Sequence, residues 1–216
     1  MKPEAFPSGL SFKGQSVLIT GSTGGLGLET AIHYVNLGAN PVHITARSAK
    51  KGSETQKVIE DRTGKKGVVR VWVLDMDTFA GVHNFMKEWK AEVKEIDIVL
   101  LNAGIHLFEY QLSPDGWEMD LQVNTLGTAL LGLLMLQWMQ SAKKPEQTQH
   151  LGFVGSGAHF DLVDISSPTF PKQDALNFYN QKKNYPSGRP MYGTSKLFLQ
   201  YVTHEIAKLA LDSNQR

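Results

Sequence analysis

Cysteine is missing altogether, which excludes disulfides, thiolate metal sites and a cysteine nucleophile. An excess of charge of either sign is also missing. The 22 Lys and Arg are set against 21 Asp and Glu, for a formal net charge of +1, so neither nucleic acid nor anionic lipid is called for as a partner. The histidines, at 33, 43, 83, 106, 150, 159 and 204, are scattered and form no His-Glu-x-x-His arrangement, so no metal site is expected. Met1 to Gln15 holds Pro3, Glu4 and Pro7 and lacks the apolar run of a secretory signal. The one long uncharged stretch, Leu121 to Met139, is almost long enough to span a bilayer. Gln122, Asn124, Thr125, Thr128 and Gln137 interrupt it, and a helix buried against a sheet is expected there, not a membrane span. What remains is a soluble, cytoplasmic chain whose residues 1–216 form a single domain with room for a substantial core.

What is present is a regular alternation. Runs rich in β-formers occur at 16–20, 41–45, 68–75, 97–101 and 150–155, and helical stretches at 25–37, 50–62, 78–94 and 116–141. Strands that are almost entirely apolar, such as Ile96-Asp97-Ile98-Val99-Leu100-Leu101, suit a parallel sheet covered on both faces. The expected fold is α/β, a doubly wound parallel sheet built from right-handed βαβ units. Such sheets bind ligands at the carboxyl ends of their strands, where Gly21, Asp75, Asn102 and Ser156 would lie. Residues 157–190 break the rhythm with Pro168, Pro171, Pro186, Gly188 and Pro190, and read as a long binding loop with one short helix near 174–183. A final amphipathic helix, 191–211, follows, with Leu197, Tyr201, Ile206, Leu209 and Ala210 as packing residues.

Three features carry chemistry. Thr20-Gly21-Ser22-Thr23-Gly24-Gly25-Leu26-Gly27 directly follows the apolar Val17-Leu18-Ile19. A strand, a glycine-rich turn and a helix start form a phosphate cradle, with free N–H groups and the positive helix end facing the anion. The spacing departs from G-x-G-x-x-G, and a tight turn without a ligand is the alternative. Arg47 follows the second predicted strand, where an acidic residue would hold the ribose 2′-hydroxyl of NAD. An arginine matches a 2′-phosphate instead and favours NADPH, the alternative being a surface arginine with no ligand. Tyr192 and Lys196 lie four apart on one helical face, where the cation favours the phenolate. Such a tyrosine can protonate a carbonyl oxygen as hydride arrives from nicotinamide. A second Y-x-x-x-K, Tyr179 to Lys183, lies inside the proline-rich loop. Tyr192 is preferred because it opens a clear helix.

From about Lys13 onward the chain resembles the short-chain dehydrogenase/reductase family. The turn from Thr20 to Gly27 resembles its T-G-x-x-x-G-x-G, and Asn102-Ala103-Gly104 its N-A-G after the fourth strand. Asp75, Asn124, Ser156, Tyr192 and Lys196 follow in the family's order. Within the family it looks most like retinol-dehydrogenase-type and fungal secondary-metabolite reductases. The resemblance implies that Gly21, Ser22, Thr23, Gly25, Leu26, Gly27, Arg47, Asp75, Asn102, Ala103, Gly104, Asn124, Tyr192 and Lys196 contact NADP(H). It implies that Asp75 meets the adenine, Tyr192 acts as general acid/base, and Lys196 tunes it and holds the nicotinamide ribose. Ser156 would bond the substrate oxygen and Asn124 would position a relay water. The substrate would be a small, fairly hydrophobic carbonyl or alcohol, and a homo-oligomer through helices 121–139 and 191–211 is expected by analogy.

Two departures matter. Thirty-six positions separate Ser156 from Tyr192, more than in relatives, which suggests an enlarged substrate loop. The chain also stops at Arg216, where relatives continue into further strands, so the sheet is expected to lack the usual last strands and to leave its fifth strand an apolar edge. The alternative to an active reductase is therefore a truncated, catalytically silent dinucleotide-binding protein, or a fragment needing a partner.

Overall fold

The computed structural model describes residues 7–142, 147–167 and 169–213; Pro3, Glu4, Pro168 and Arg216 lie outside these. Five strands, β1 (Val17–Ile19), β2 (Val42–Ala46), β3 (Val69–Val73), β4 (Ile98–Leu101) and β5 (His150–Phe153), form one sheet in the order β3-β2-β1-β4-β5. The register is parallel, with Val17 opposite both Val42 and Ile98 and Val42 opposite Val69. Helices alternate with the strands: α1 (Gly25–Asn36), α2 (Ala49–Thr63), α3 (Phe79–Glu92), α4 (Thr128–Ala142), α5 (Ala158–Leu162), α6 (Ala175–Tyr179) and α7 (Arg189–Ser213). The fold is α/β and doubly wound, with the strand order reversing direction at β1.

Contacts group the chain into two compact units. The first gathers residues 7–73, 95–102 and 147–152, and so holds the sheet with α1 and α2. Its core is aliphatic: Val17, Ile19, Ala31, Ile32, Val35, Val42, Ile44 and Ile59 pack together. Fully buried strands explain the nearly continuous apolar runs. The start of β4 is fixed to β1 by Asp97, whose Oδ2 accepts from both the Ser16 amide (2.7 Å) and its hydroxyl (2.9 Å). β5 is the edge strand of this sheet, and its residues are only partly covered or exposed.

The second unit gathers residues 74–94, 103–142 and 153–213. Phe85, Trp89 and Trp138 pack α3 on α4, the two indoles meeting edge to face at 5.7 Å. The expected helix 116–141 is not uniform. Leu112 and Glu118 form a β-bridge, and Leu121–Gly127 is a π-helix leading into α4. Thr128 Oγ1 donates to the Val123 carbonyl at 2.8 Å, which helps fill the widened turn. Residues 157–190 hold α5, α6 and a 3-10 turn at Lys182–Asn184, more ordered structure than one short helix. In α7, Leu197 and Ile206 are buried as expected, but Tyr201 and Leu209 are half exposed, so the apolar stripe is narrower than the sequence pattern suggests.

Candidate active site

In the sheet-bearing unit, the glycine turn is held from three sides. The Gly21 amide donates to Thr45 Oγ1 on β2 (3.1 Å), and Ser22 Oγ to the Ile19 carbonyl (2.6 Å). Asn102 Nδ2, at the end of β4, donates to the Thr20 and Gly21 carbonyls at 2.9 and 3.3 Å. Gly27 sits where a Cβ would come within 2.3 Å of the Gly21 carbonyl oxygen and 2.6 Å of Asn102 Nδ2, so only glycine lets α1 start this close to the turn. Gly21 and Gly25 have positive φ (68° and 53°), which glycine adopts without strain. A Cβ at Gly24 or Gly25 would meet nothing, so open space faces the uncapped start of α1. A pyrophosphate fits this backbone cradle. Ser22 is fully buried with its hydroxyl turned inward, whereas Thr23 is partly covered and Leu26 exposed. Arg47 is exposed between β2 and Ser48, the cap of α2.

In the second unit, Asn124, Tyr192 and Lys196 gather around the loop 104–107, whereas among the described residues Ser156 and Asp75 bond only within their own segments. A Cβ on Gly104 would lie 3.0 Å from Asn124 Oδ1 and 3.3 Å from Lys196 Nζ. The π-helix carries Asn124, whose amide clasps Ile105: Oδ1 accepts from its N–H and Nδ2 donates to its carbonyl, both at 2.8 Å. Nδ2 also donates to Ser195 Oγ (3.0 Å), which in turn donates to the Tyr192 carbonyl (2.8 Å). Both protons of the Asn124 amide are therefore used inside the protein. Lys196 is buried, donates to the Val154 carbonyl at 3.0 Å and lies 5.9 Å from the Tyr192 ring centre. Burial pushes its pKa down, and the charge of Asp120 pushes it back up. Tyr192 stays partly exposed, with the His106 ring 5.1 Å away. Ser156 Oγ accepts from the Ala158 amide (3.2 Å) at the start of α5, and α5 packs on α7. Asp75 follows β3 and accepts from the Asp77 amide at 3.0 Å. The competing pair behaves differently. Tyr179 packs with Leu121, Met191, Phe198 and Phe170, burial raises its pKa, and Lys183 is exposed on the next turn.

Residues 15–147 match the short chain dehydrogenase family. The chain belongs to that family. It is 35% identical over 98% of its length to a short chain dehydrogenase of Arthrobotrys oligospora, spanning 66% of that protein. It is 32% identical, again over 98%, to the short-chain dehydrogenase/reductase ffsI of Aspergillus flavipes, spanning 62% of it. The chain thus spans just under two thirds of the length of these curated relatives. Among solved structures it resembles the Pseudomonas aeruginosa RhlG/NADP active-site complex (TM-score 0.68, 22% identity, 94% of this chain and 69% of that one). It also resembles Gluconobacter frateurii L-sorbose reductase complexed with NADPH and L-sorbose (TM-score 0.68, 17% identity, 95% and 67%).

For a short-chain dehydrogenase, several residues that build the site carry no sequence signal of their own. Thr45 holds the glycine turn, and Ser195 joins Asn124 to the backbone of Tyr192. Thr125 adds a 2.8 Å bond to the Ser195 carbonyl. Glu118 and Asp120 are both fully buried, an arrangement that only the charge-free stretch following them hinted at.

Proposed function

We propose that the chain is one dinucleotide-binding and catalytic domain, an NADPH-dependent oxidoreductase acting on a carbonyl/alcohol pair of a small, fairly hydrophobic molecule. The observation that carries this reading is the joint placement of Asn124, Lys196 and Tyr192 around the loop 104–107. Backbone groups at Gly21, Thr23, Gly25, Leu26 and Gly27 would hold the pyrophosphate, and Arg47 the 2′-phosphate. Asp75 would meet the adenine, with Asn102, Ala103 and Gly104 lining the same cofactor. When bound, the nicotinamide supplies or accepts the hydride at the substrate carbon.

The remaining steps fall to side chains of this protein. Tyr192 gives its hydroxyl proton to the carbonyl oxygen, and the nearby Lys196 ammonium stabilises the phenolate left behind. One Lys196 proton is engaged by Val154, which leaves the others for the nicotinamide ribose. Ser156 accepts from Ala158, so its own O–H remains available to the substrate oxygen. Asn124 has spent its side chain on Ile105 and Ser195, so it serves the relay by fixing the loop and the start of α7 in place. The presence of NADP in the Pseudomonas structure and NADPH in the Gluconobacter one supports the cofactor assignment. No helix of the described residues is long and apolar enough to cross a membrane. A homo-oligomer is proposed through α7, where Tyr201, Leu209 and Leu211 are exposed.

Titration of the purified chain with NADPH and NADH, followed by nicotinamide fluorescence, tests the reading. Binding with clear preference for NADPH is expected. Failure to bind either nucleotide overturns it.

A further inference from the structure

The loop 104–107 is touched by a third buried side chain that the assigned chemistry does not use. Gly104 lies against Lys196 and Ile105 is clasped by Asn124. The Leu107 amide donates to Asp120 Oδ1 at 3.3 Å, and His106, between them, packs on Tyr192. Asp120 immediately precedes the π-helix, against which α7 packs, and Lys196 belongs to α7. Asp120 and Glu118 are 0% exposed and Lys196 is 3% exposed. Each carboxylate has one oxygen, Asp120 Oδ2 and Glu118 Oε1, buried with no hydrogen-bond partner among the described residues. Glu118 Oε2 accepts from the Leu121 amide at 3.0 Å.

From this arrangement we infer that Asp120 is a positioning residue for the Tyr192–Lys196 pair: it is the buried counter-charge that keeps Lys196 an ammonium, with Glu118 as the second carboxyl that governs it. The inference rests on reading Tyr192 and Lys196 as the proton-handling pair. One ammonium and two carboxylates out of water would leave an uncompensated negative charge, which burial makes costly. One proton therefore stays on the carboxyl pair near neutral pH. Burial and the charge of Glu118 push Asp120 up to about 7, opposed by its bond from Leu107 and by Lys196. Burial also raises Glu118. The groups facing Asp120 are Glu118 on its own segment, Lys196 on α7, the Leu107 amide, and Tyr185 from the segment before α7, which feels both carboxylates. When Asp120 takes its proton, Lys196 loses its counter-charge in a dry site and releases its own proton more readily. Lys196 stays an ammonium in acid, but its proton is held less tightly once Asp120 is neutral.

The test needs neither cofactor nor substrate. In protein carrying carbon-13 at the lysine ε position, with the Lys196 signal assigned by K196R, the Lys196 resonance is followed against pH. In the wild type an inflection is expected across neutral pH, reporting Asp120, before Lys196 itself titrates. D120N should delete that inflection and weaken Lys196 proton affinity about tenfold. E118Q should move the inflection to lower pH, and D120E should restore it. An unchanged Lys196 midpoint in D120N overturns the inference. If D120N fails to fold, wild type and E118Q decide: no neutral-pH inflection, or one that E118Q leaves in place, overturns it equally. A chain that shows the coupled titration yet binds no nucleotide would refute the proposed function and leave only the Asp120–Lys196 coupling standing.

Discussion

In the sheet-bearing unit every buried polar side chain named among its core has a partner. Thr20 accepts from Asn102, Ser22 donates to Ile19, His43 accepts from Trp72 at 2.8 Å, and Thr45 accepts from Gly21. In the unit carrying Tyr192, His106 Nε2, Glu118 Oε1, Asp120 Oδ2 and Gln122 Nε2 are buried without one. The first unit has spent its polar groups on holding a turn still. The second leaves donors and acceptors unmatched around the residues proposed to react, the sort of cost found where chemistry requires it. On that proposal, stability and reactivity fall to different stretches of the chain.

The sharpest way to break this contrast is Y192F. Turnover should fall about a thousandfold, with NADPH affinity nearly unchanged, as checked by steady-state rates beside fluorescence titration. Retained turnover would remove Tyr192 from its role.

Acid should act on the two units in opposite directions. Burial, then the charge of Arg70, lowers His43 from 6.5 to about 4, so its native form resists a proton that the unfolded chain accepts. Its contribution is complete above about pH 6.5 and is lost as pH falls towards 4, a cost of about 3 kcal/mol. Asp120 is raised from 3.8 to about 7, so its penalty is absent at low pH and builds as pH rises through that window, to about 4 kcal/mol. D120N should therefore raise Tm well above pH 7 and have little effect near pH 4. Amide exchange in β1 and β2 should lose protection on acidification. A D120N gain that is the same at every pH would contradict this account.

Within the sheet-bearing unit, G27A should cost about 2–3 kcal/mol by denaturant titration, because its Cβ collides with backbone and with Asn102. G24A, where the Cβ meets nothing, should cost far less. The smaller of the two functional effects belongs to Arg47: R47E should weaken NADPH binding about tenfold to a hundredfold and spare NADH, measured by the same fluorescence titration. Equal loss for both nucleotides would show that Arg47 does not read the phosphate.

The sheet was legible because β1 and β2 are buried at every residue and β1 and β4 leave apolar runs, and because Gly21, Gly25 and Gly27 meet strict backbone demands. Tyr192 lies at the start of a long helix, as expected, whereas Tyr179 ends a short one. Nothing in the sequence marked Ser195, since its bond from Asn124 comes from a segment seventy-one positions away. Nothing in the sequence singled out Asp120, because no periodicity marks a carboxylate that is buried by tertiary packing. Leu209 was misassigned for the opposite reason: α7 has the stripe, but nothing among the described residues covers that part of it.

The widened turn at Leu121–Gly127 acts as a phase shifter. Each residue of an α-helix turns the face by about 100°, so one surplus residue swings everything beyond it around the axis. Within it, five successive residues from Leu121 to Thr125 are buried, with Asn124 aimed at Ile105; beyond it, Leu131, Met135 and Trp138 keep an ordinary helical stripe. The two stretches therefore answer to separate demands, one set by the clasp on Ile105 and the other by packing. Removing a single residue from the turn would mesh them again and swing Asn124 off its loop without altering any side chain's identity.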